Sequence, residues 1–225
     1  VRVKLNRCAR ALFSTLLGML APSRCAACAV LQPERSGYCA ECGTPEPLLD
    51  VALHIAGVPV FAGAHYAEPV ASAIHRFKYN NAPELSPVLA SPAARAIDLL
   101  GIEAGDVWVP VPLHPQRLAE RGYNQSALLA RELAQLARGP VDARRLCRLR
   151  DTAQQAKRDR RGRSENVAHA FAARPRARRT RVVLVDDVVT TGATLSGCIA
   201  ALRAAGDQVV GCVAVACVGS HDPLP

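Results

Sequence analysis

VVLVDDVVTTGATLSG, residues Val182 to Gly197, sets four apolar residues before two adjacent carboxylates and follows them with hydroxyls and a glycine. Val182 to Val185 reads as a buried strand, and Leu195, Cys198, Ile199 and Leu202 recur at i, i+3, i+4 and i+7 like one face of a helix. The apolar run Val209 to Val218 supplies a second strand, so the stretch is the core of a strand-helix-strand unit. In sheets built from such units, ligands bind at the carboxyl ends of the strands, where this spacing puts Asp186 and Asp187. Behind the acids, Thr190, Thr191, Gly192, Ala193 and Thr194 combine free amides, hydroxyls and the positive end of a helix, a seat for a phosphate dianion. Gly192 lets the backbone close on the anion without a Cβ in the way.

Two acids facing a phosphate repel it unless they face something else. Vicinal hydroxyls or a bridging Mg2+ satisfy carboxylates, and a sugar phosphate presents both needs at once. The turn has neither the Gly-x4-Gly-Lys-Ser/Thr spacing of a nucleoside triphosphate loop nor the Gly-x-Gly-x-x-Gly of a dinucleotide fold. An ordinary helix N-cap is the plain alternative, but one threonine suffices for that.

Outward from this unit the pattern repeats. Val58 to Tyr66 reads as a strand, Pro69 to Lys78 as a short helix, and Ser86 to Gly101 as a helix interrupted near Pro92. Val107 to Leu113 is a buried strand that must end at Pro110 and Pro112, which cannot donate to a ladder. Leu129, Leu133 and Leu136 mark a helix from Asn124 to Arg138, with Gly139 as its stop. Alternating strands and helices specify an α/β fold, a parallel sheet flanked by helices.

The 225 residues carry 28 Lys/Arg against 19 Asp/Glu, a net +9, which points to an anionic partner or simply to a solvated basic surface. Fourteen of the cations lie between Arg144 and Arg181, against three acids, with Phe171 the one aromatic. Phosphate contact fits this composition better than base-specific readout.

Nine cysteines cannot all pair within one chain. Cys25-x2-Cys28 and Cys39-x2-Cys42 have the spacing of two metal knuckles and would give a closed shell of four thiolates around a structural Zn2+. Disulfides and an iron-sulfur cluster are the alternatives. Cys198, Cys212 and Cys217 lie in apolar runs and read as packing residues. At the start, Arg2, Lys4, Arg7 and Arg10 precede the apolar run Ala11 to Ala21 in the manner of a secretory signal. That run is too short for a membrane span, and its leucines also suit an amphipathic helix docked on the body. Thiol chemistry of this kind suits a reducing compartment, which favours the helix and a cytoplasmic location.

Val182 to Leu195 resembles the 5-phosphoribosyl-1-pyrophosphate (PRPP) loop of type I phosphoribosyltransferases. VPVPLHPQRLAERGYNQSALLA, residues 109–130, followed by Thr152, Gln155, Arg163 and Asn166 leading into Ala170 and Phe171, is similar to the ComF/GntX family. The resemblance covers nearly the whole chain from about Cys25. It implies a phosphoribosyltransferase-type domain, here residues 56–225, joined to an N-terminal helix and zinc ribbon, residues 1–55. It further implies Asp186 and Asp187 at the ribose 2- and 3-hydroxyls, residues 190–194 around the 5-phosphate, and the turn after VPVP near the pyrophosphate. PRPP with Mg2+ is then the expected ligand, and natural competence, with single-stranded DNA and DNA-processing proteins as partners, the expected setting. Departure of pyrophosphate needs cations over the reacting carbon. Arg121, Lys78 and Arg163 are the residues expected to serve, each with an ordinary surface charge as its alternative. No motif names the acceptor, so an enzyme and a PRPP-responsive binding protein or sensor without turnover both remain open.

Overall fold

The computed structural model describes residues 23–32, 37–48, 50, 53–149, 170–175 and 178–219. β1 (Ser23–Arg24) and β2 (Leu31–Gln32) pair antiparallel on either side of the first cysteine knuckle. β3 (Leu53–Ile55) and β4 (Val58–His65) form a hairpin. α1 (Val70–Tyr79), a 3-10 turn at Pro83–Leu85, α2 (Ser86–Ala93) and α3 (Ala96–Leu99) lead to β5 (Val107–Pro110). α4 (Pro115–Arg121), α5 (Gln125–Ala137), β6 (Leu146–Arg148), β7 (Phe171–Ala173), β8 (Arg181–Val189), α6 (Ala193–Ala204) and β9 (Gln208–Cys217) complete the order.

The central sheet runs β3-β4-β9-β8-β5, with β4, β9, β8 and β5 mutually parallel and β3 antiparallel at one edge. Period-two alternation divides β8 between two cores: Val183 and Val185 face Phe77, Trp108 and Leu133, while Val182 and Leu184 face Leu195, Ile199 and Leu202 of α6. A parallel sheet buried on both faces needs apolar residues at consecutive positions, which is why Val182 to Val185 is apolar throughout. The expected parallel sheet with helices on its faces is thus present, and β5 ends at Pro110 as its prolines require.

Two local expectations change. The strand carrying the acids extends to Val189, because Val188 and Val189 pair with Ala216 and Cys217. Asp186 and Asp187 therefore lie inside the strand rather than beyond it. The helix from Gln125 is stopped by Arg138, whose φ of 56° takes the left-handed position assigned to Gly139. Gly139 answers a different need: a Cβ there would lie 2.6 Å from the Asp106 carbonyl and 2.7 Å from Trp108 Nε1.

Three polar ties hold outlying parts to the sheet. Arg76 of α1 donates to the carbonyls of Cys25 (2.6 Å) and Ala26 (2.7 Å), while Ala26 and Tyr38 pack into the core beside α1 and α2. Arg203 of α6 donates to the Ala56 carbonyl at the tip of the β3-β4 hairpin, 2.8 Å away. Buried Arg145 donates through Nε to Asp207 Oδ2 at 2.7 Å and through Nη1 to the Arg174 carbonyl, which ties β6 and β7 to the start of β9. No helix among the described residues is long and apolar enough to cross a membrane. The apolar run Ala11 to Ala21 lies outside the described residues.

Candidate functional site

β8 and the N-termini of α5 and α6 converge on the acidic pair. Asp186 and Asp187 are 9 % and 8 % exposed. Asp186 Oδ1 accepts from Ser126 Oγ (3.2 Å) and from the Asp187 amide (2.9 Å). Asp187 Oδ2 lies 2.9 Å from Lys78 Nζ and accepts from Gln125 Nε2 at 3.3 Å. Burial pushes the Asp186 carboxyl up to about 7; the charge of Asp187 adds to the rise, and the Asp187 amide, Lys78 and Ser126 offset only part of it. One carboxylate is thus compensated by a lysine while its neighbour lacks a full counter-charge. Such a pair favours an incoming cation or hydroxyl donors, so these donors fit Mg2+.

A cleft of about 320 Å3 opens above the pair. Of the expected residues it gathers Lys78, Arg121, Asp186, Asp187 and Thr194. Arg163 lies outside the described residues, as do Thr152, Gln155 and Asn166. Thr190 and Thr191 are exposed on the turn, Ala193 is half-buried, and Gly192 is the N-cap of α6 with φ 73°. No side chain caps that helix among the described residues, so its hydroxyls are not consumed by capping. A Cβ at Gly192 would lie 2.6 Å from Ile55 Cδ1, so glycine is required by both φ and space.

Sequence reasoning missed Gln125 and Ser126, which hold the acids, and Arg117 and Arg148, which also line the cleft. Their signal was the polar triplet Asn124, Gln125, Ser126 opening a helix. Asn124 is the cap, accepting from the Ala127 amide at 3.4 Å, which leaves the next two polar residues without a capping role. Both are buried, and a buried polar residue needs a partner.

In the ribbon, the four sulfurs of Cys25, Cys28, Cys39 and Cys42 all lie within 4.8 Å of one another, and those of Cys28 and Cys39 are 3.7 Å apart. Disulfide sulfurs stand about 2 Å apart, whereas a tetrahedron with arms of about 2.3 Å has edges of about 3.8 Å. Burial raises the Cys25 thiol, but hydrogen bonds from the backbone at Cys28, Cys39 and Ala27 bring it down to about 6. Hydrogen bonding to the Cys39 and Cys28 sulfurs instead pushes Cys42 up to about 12. Four thiols this close cannot all ionise without a dication among them. The geometry is that of a four-thiolate metal site and fits Zn2+.

The cleft thus sets two carboxylates, Lys78 and Arg121 beside Thr194 at the start of α6. The phosphoribosyl transferase domain model matches residues 121–223. The DNA utilization protein YhgH of Salmonella typhimurium is 30% identical over 182 residues, 76% of this chain and 80% of that protein. Competence protein F of Haemophilus influenzae is 30% identical over 180 residues, 77% of this chain and 75% of that one. The chain belongs to the ComF family. A further relative, ComFC of Bacillus subtilis, is 29% identical over 130 residues, 58% of this chain and 52% of its own. For a ComF protein the matched domain begins at Arg121 and so takes in the carboxylates, the turn behind them and the helix start that holds them, while the ribbon and Lys78 precede it.

Proposed function

We propose that this ComF-family protein binds PRPP with Mg2+ and acts in DNA uptake in the cytoplasm, as a phosphoribosyltransferase-like protein whose acceptor is still to be found. The observation that carries the reading is the buried Asp186-Asp187 pair beside an uncapped hydroxyl turn, under Lys78 and Arg121. Asp186 and Asp187 would take the ribose hydroxyls and the Mg2+, and Thr190 to Thr194 the 5-phosphate. When bound, Mg2+ offsets charge on the pyrophosphate. Lys78 and Arg121, with Arg163 as a third cation, would stabilise that leaving group. In transfer, the C1-oxygen bond breaks with its electron pair leaving on pyrophosphate, and the acceptor's lone pair forms the new bond at C1. The printed names of the relatives support the link to DNA and competence.

Residues 1–55, an N-terminal helix and the zinc ribbon, would hold one structural Zn2+ in a closed shell that leaves no position for catalysis. Residues 56–225 would form the phosphoribosyltransferase-like unit, and β3, hydrogen-bonded to β4 across that line, ties the two units together. Thiolate metal binding suits the reducing cytoplasm.

Titration calorimetry with PRPP and Mg2+ tests the reading: Asp186→Asn combined with Asp187→Asn should abolish binding and leave the zinc content unchanged. Retained affinity would overturn the ribose assignment. A second reading, a PRPP-responsive protein without turnover, is favoured by Lys78, which already occupies Asp187. Pyrophosphate release from PRPP with Mg2+ and a panel of bases and single-stranded DNA separates the two.

A further inference from the structure

The last turn of α1 carries Arg76, Phe77 and Lys78, which reach three different parts of the molecule. Arg76 Nη1 donates to the carbonyls of Cys25 (2.6 Å) and Ala26 (2.7 Å) in the first knuckle of the ribbon. Phe77 is fully buried in the core, and its carbonyl accepts from the Tyr123 hydroxyl. Lys78 Nζ lies 2.9 Å from Asp187 Oδ2 in the cleft. Successive helical residues point about 100° apart, so one turn, with Phe77 as its fixed point, joins the ribbon on one side to the acidic pair on the other.

More than Arg76 presses the ribbon onto this turn. Cys25 and Ala26 are fully buried, Ala26 and Tyr38 pack into the core beside α1 and α2, and a Cβ on Gly37 would lie 3.0 Å from Val88 Cγ1 of α2. Within the ribbon, the described residues offer only the two-residue strands β1 and β2 and the gathered sulfurs to keep the knuckles closed. A segment with so small a core keeps its shape by binding metal. The carbonyls that Arg76 uses belong to Cys25 and its neighbour, so they stand in place only while the four thiolates are gathered. The docked ribbon in turn fixes the end of α1, which would otherwise fray as helix ends do. Lysine has a long flexible stem, and anchoring its backbone lowers the cost of holding its ammonium at one point over the cleft.

Two states with different contacts follow: metal-loaded, with Arg76 bonded and Lys78 placed, and metal-free, with both loosened. A ligand that uses Lys78 favours the first, and linkage requires the metal to favour that ligand by the same factor. We propose that Arg76 is a positioning residue through which the ribbon sets Lys78 in the cleft, so that zinc in the ribbon and PRPP in the cleft each tighten the binding of the other. This rests on the reading of the cleft as a PRPP site and adds its regulation: loss of the metal lowers affinity for the sugar phosphate.

The first measurement needs no variant. Zinc affinity of the full chain is read by competition with a chromophoric chelator in Mg2+ buffer, with and without saturating PRPP; PRPP should tighten it roughly ten-fold. Calorimetry on zinc-loaded and zinc-free protein should show PRPP affinity changing by the same factor. Docking adds to an affinity that the thiolates already make tight, so Arg76→Met keeps its metal. In Arg76→Met and in Lys78→Met, PRPP should leave zinc affinity nearly unchanged, while Arg76→Lys, which keeps donors for the two carbonyls, should restore part of the effect. Zinc affinity indifferent to PRPP, in a chain that calorimetry shows to bind PRPP, would overturn the proposal and leave the PRPP site standing. A full effect in either methionine variant would do the same. No PRPP binding by the zinc-loaded chain would overturn the cleft assignment and this proposal together.

Discussion

Lys78 Nζ lies 2.9 Å from Asp187 Oδ2, so a residue expected over the leaving group is also the counter-ion of a residue expected under the sugar. Both are largely shielded from water, so the attraction is stronger than at an exposed site. A ligand that takes over Asp187 through its hydroxyls or a dication frees the ammonium for phosphate oxygens. Lys78→Met should therefore weaken Mg2+-dependent PRPP binding roughly ten- to a hundred-fold, the worth of a charge-assisted hydrogen bond. Titration calorimetry reads this directly; an increase in affinity would show that Lys78 competes for Asp187 and does not serve the leaving group.

Asp186 makes a pH-dependent prediction. Its folded-state carboxyl titrates near 7, above the ordinary 3.8, so between these values the folded protein holds a proton that the unfolded chain has lost. Stability contributed by this group is present at low pH and is lost as pH rises toward 7. Asp186→Asn keeps the neutral shape at every pH. Without added Mg2+, the variant should match the parent near pH 4 and exceed it near pH 8 by about 2 to 4 kcal/mol. Urea unfolding at the two pH values checks it, and a constant difference would show that burial does not hold the proton.

How much of this was legible beforehand depended on whether a residue's role was local. Val182 to Val185 and the α6 periodicity are written in consecutive residues, so the strand's apolar half and the helix could be read directly, whereas the strand's extension to Val189 rests on pairing with Ala216 and Cys217 of β9. The two knuckles were equally plain because metal spacing is local. Gln125 and Ser126 were not, since their roles come from lying against Asp187 and Asp186, about sixty residues away in the chain. The same holds for Gly139, whose small size serves Trp108 rather than the helix end, and for Ile55, which lies against Gly192 and so sets an edge strand beside the turn after β8.

That last contact is testable. Gly192→Ala meets two obstacles: a left-handed φ costing about 1 to 2 kcal/mol, and a Cβ 2.6 Å from Ile55 Cδ1. The variant should lose about 2 to 4 kcal/mol and bind PRPP more weakly. Adding Ile55→Ala should restore only the steric share, so the double variant should recover part of the loss relative to Ile55→Ala alone. Full recovery in a double-mutant cycle would show that φ contributes nothing.

Arg76 is the joint between the ribbon and the sheet domain. Its guanidinium holds two adjacent carbonyls, of Cys25 and Ala26, in the first knuckle, and the Ala26 amide in turn bonds the Gly37 carbonyl at 2.7 Å, leading toward the second knuckle. None of these bonds uses a thiol, so metal binding and docking should separate. Arg76→Met keeps much of the side chain's bulk and removes the donors, leaving two carbonyls to find water. The variant should retain one zinc per chain by elemental analysis, while hydrogen exchange at the Ala26 amide should quicken roughly ten-fold. Loss of zinc together with protection would mean that the knuckles close only when pressed against α1, making the ribbon a dependent part of the larger unit.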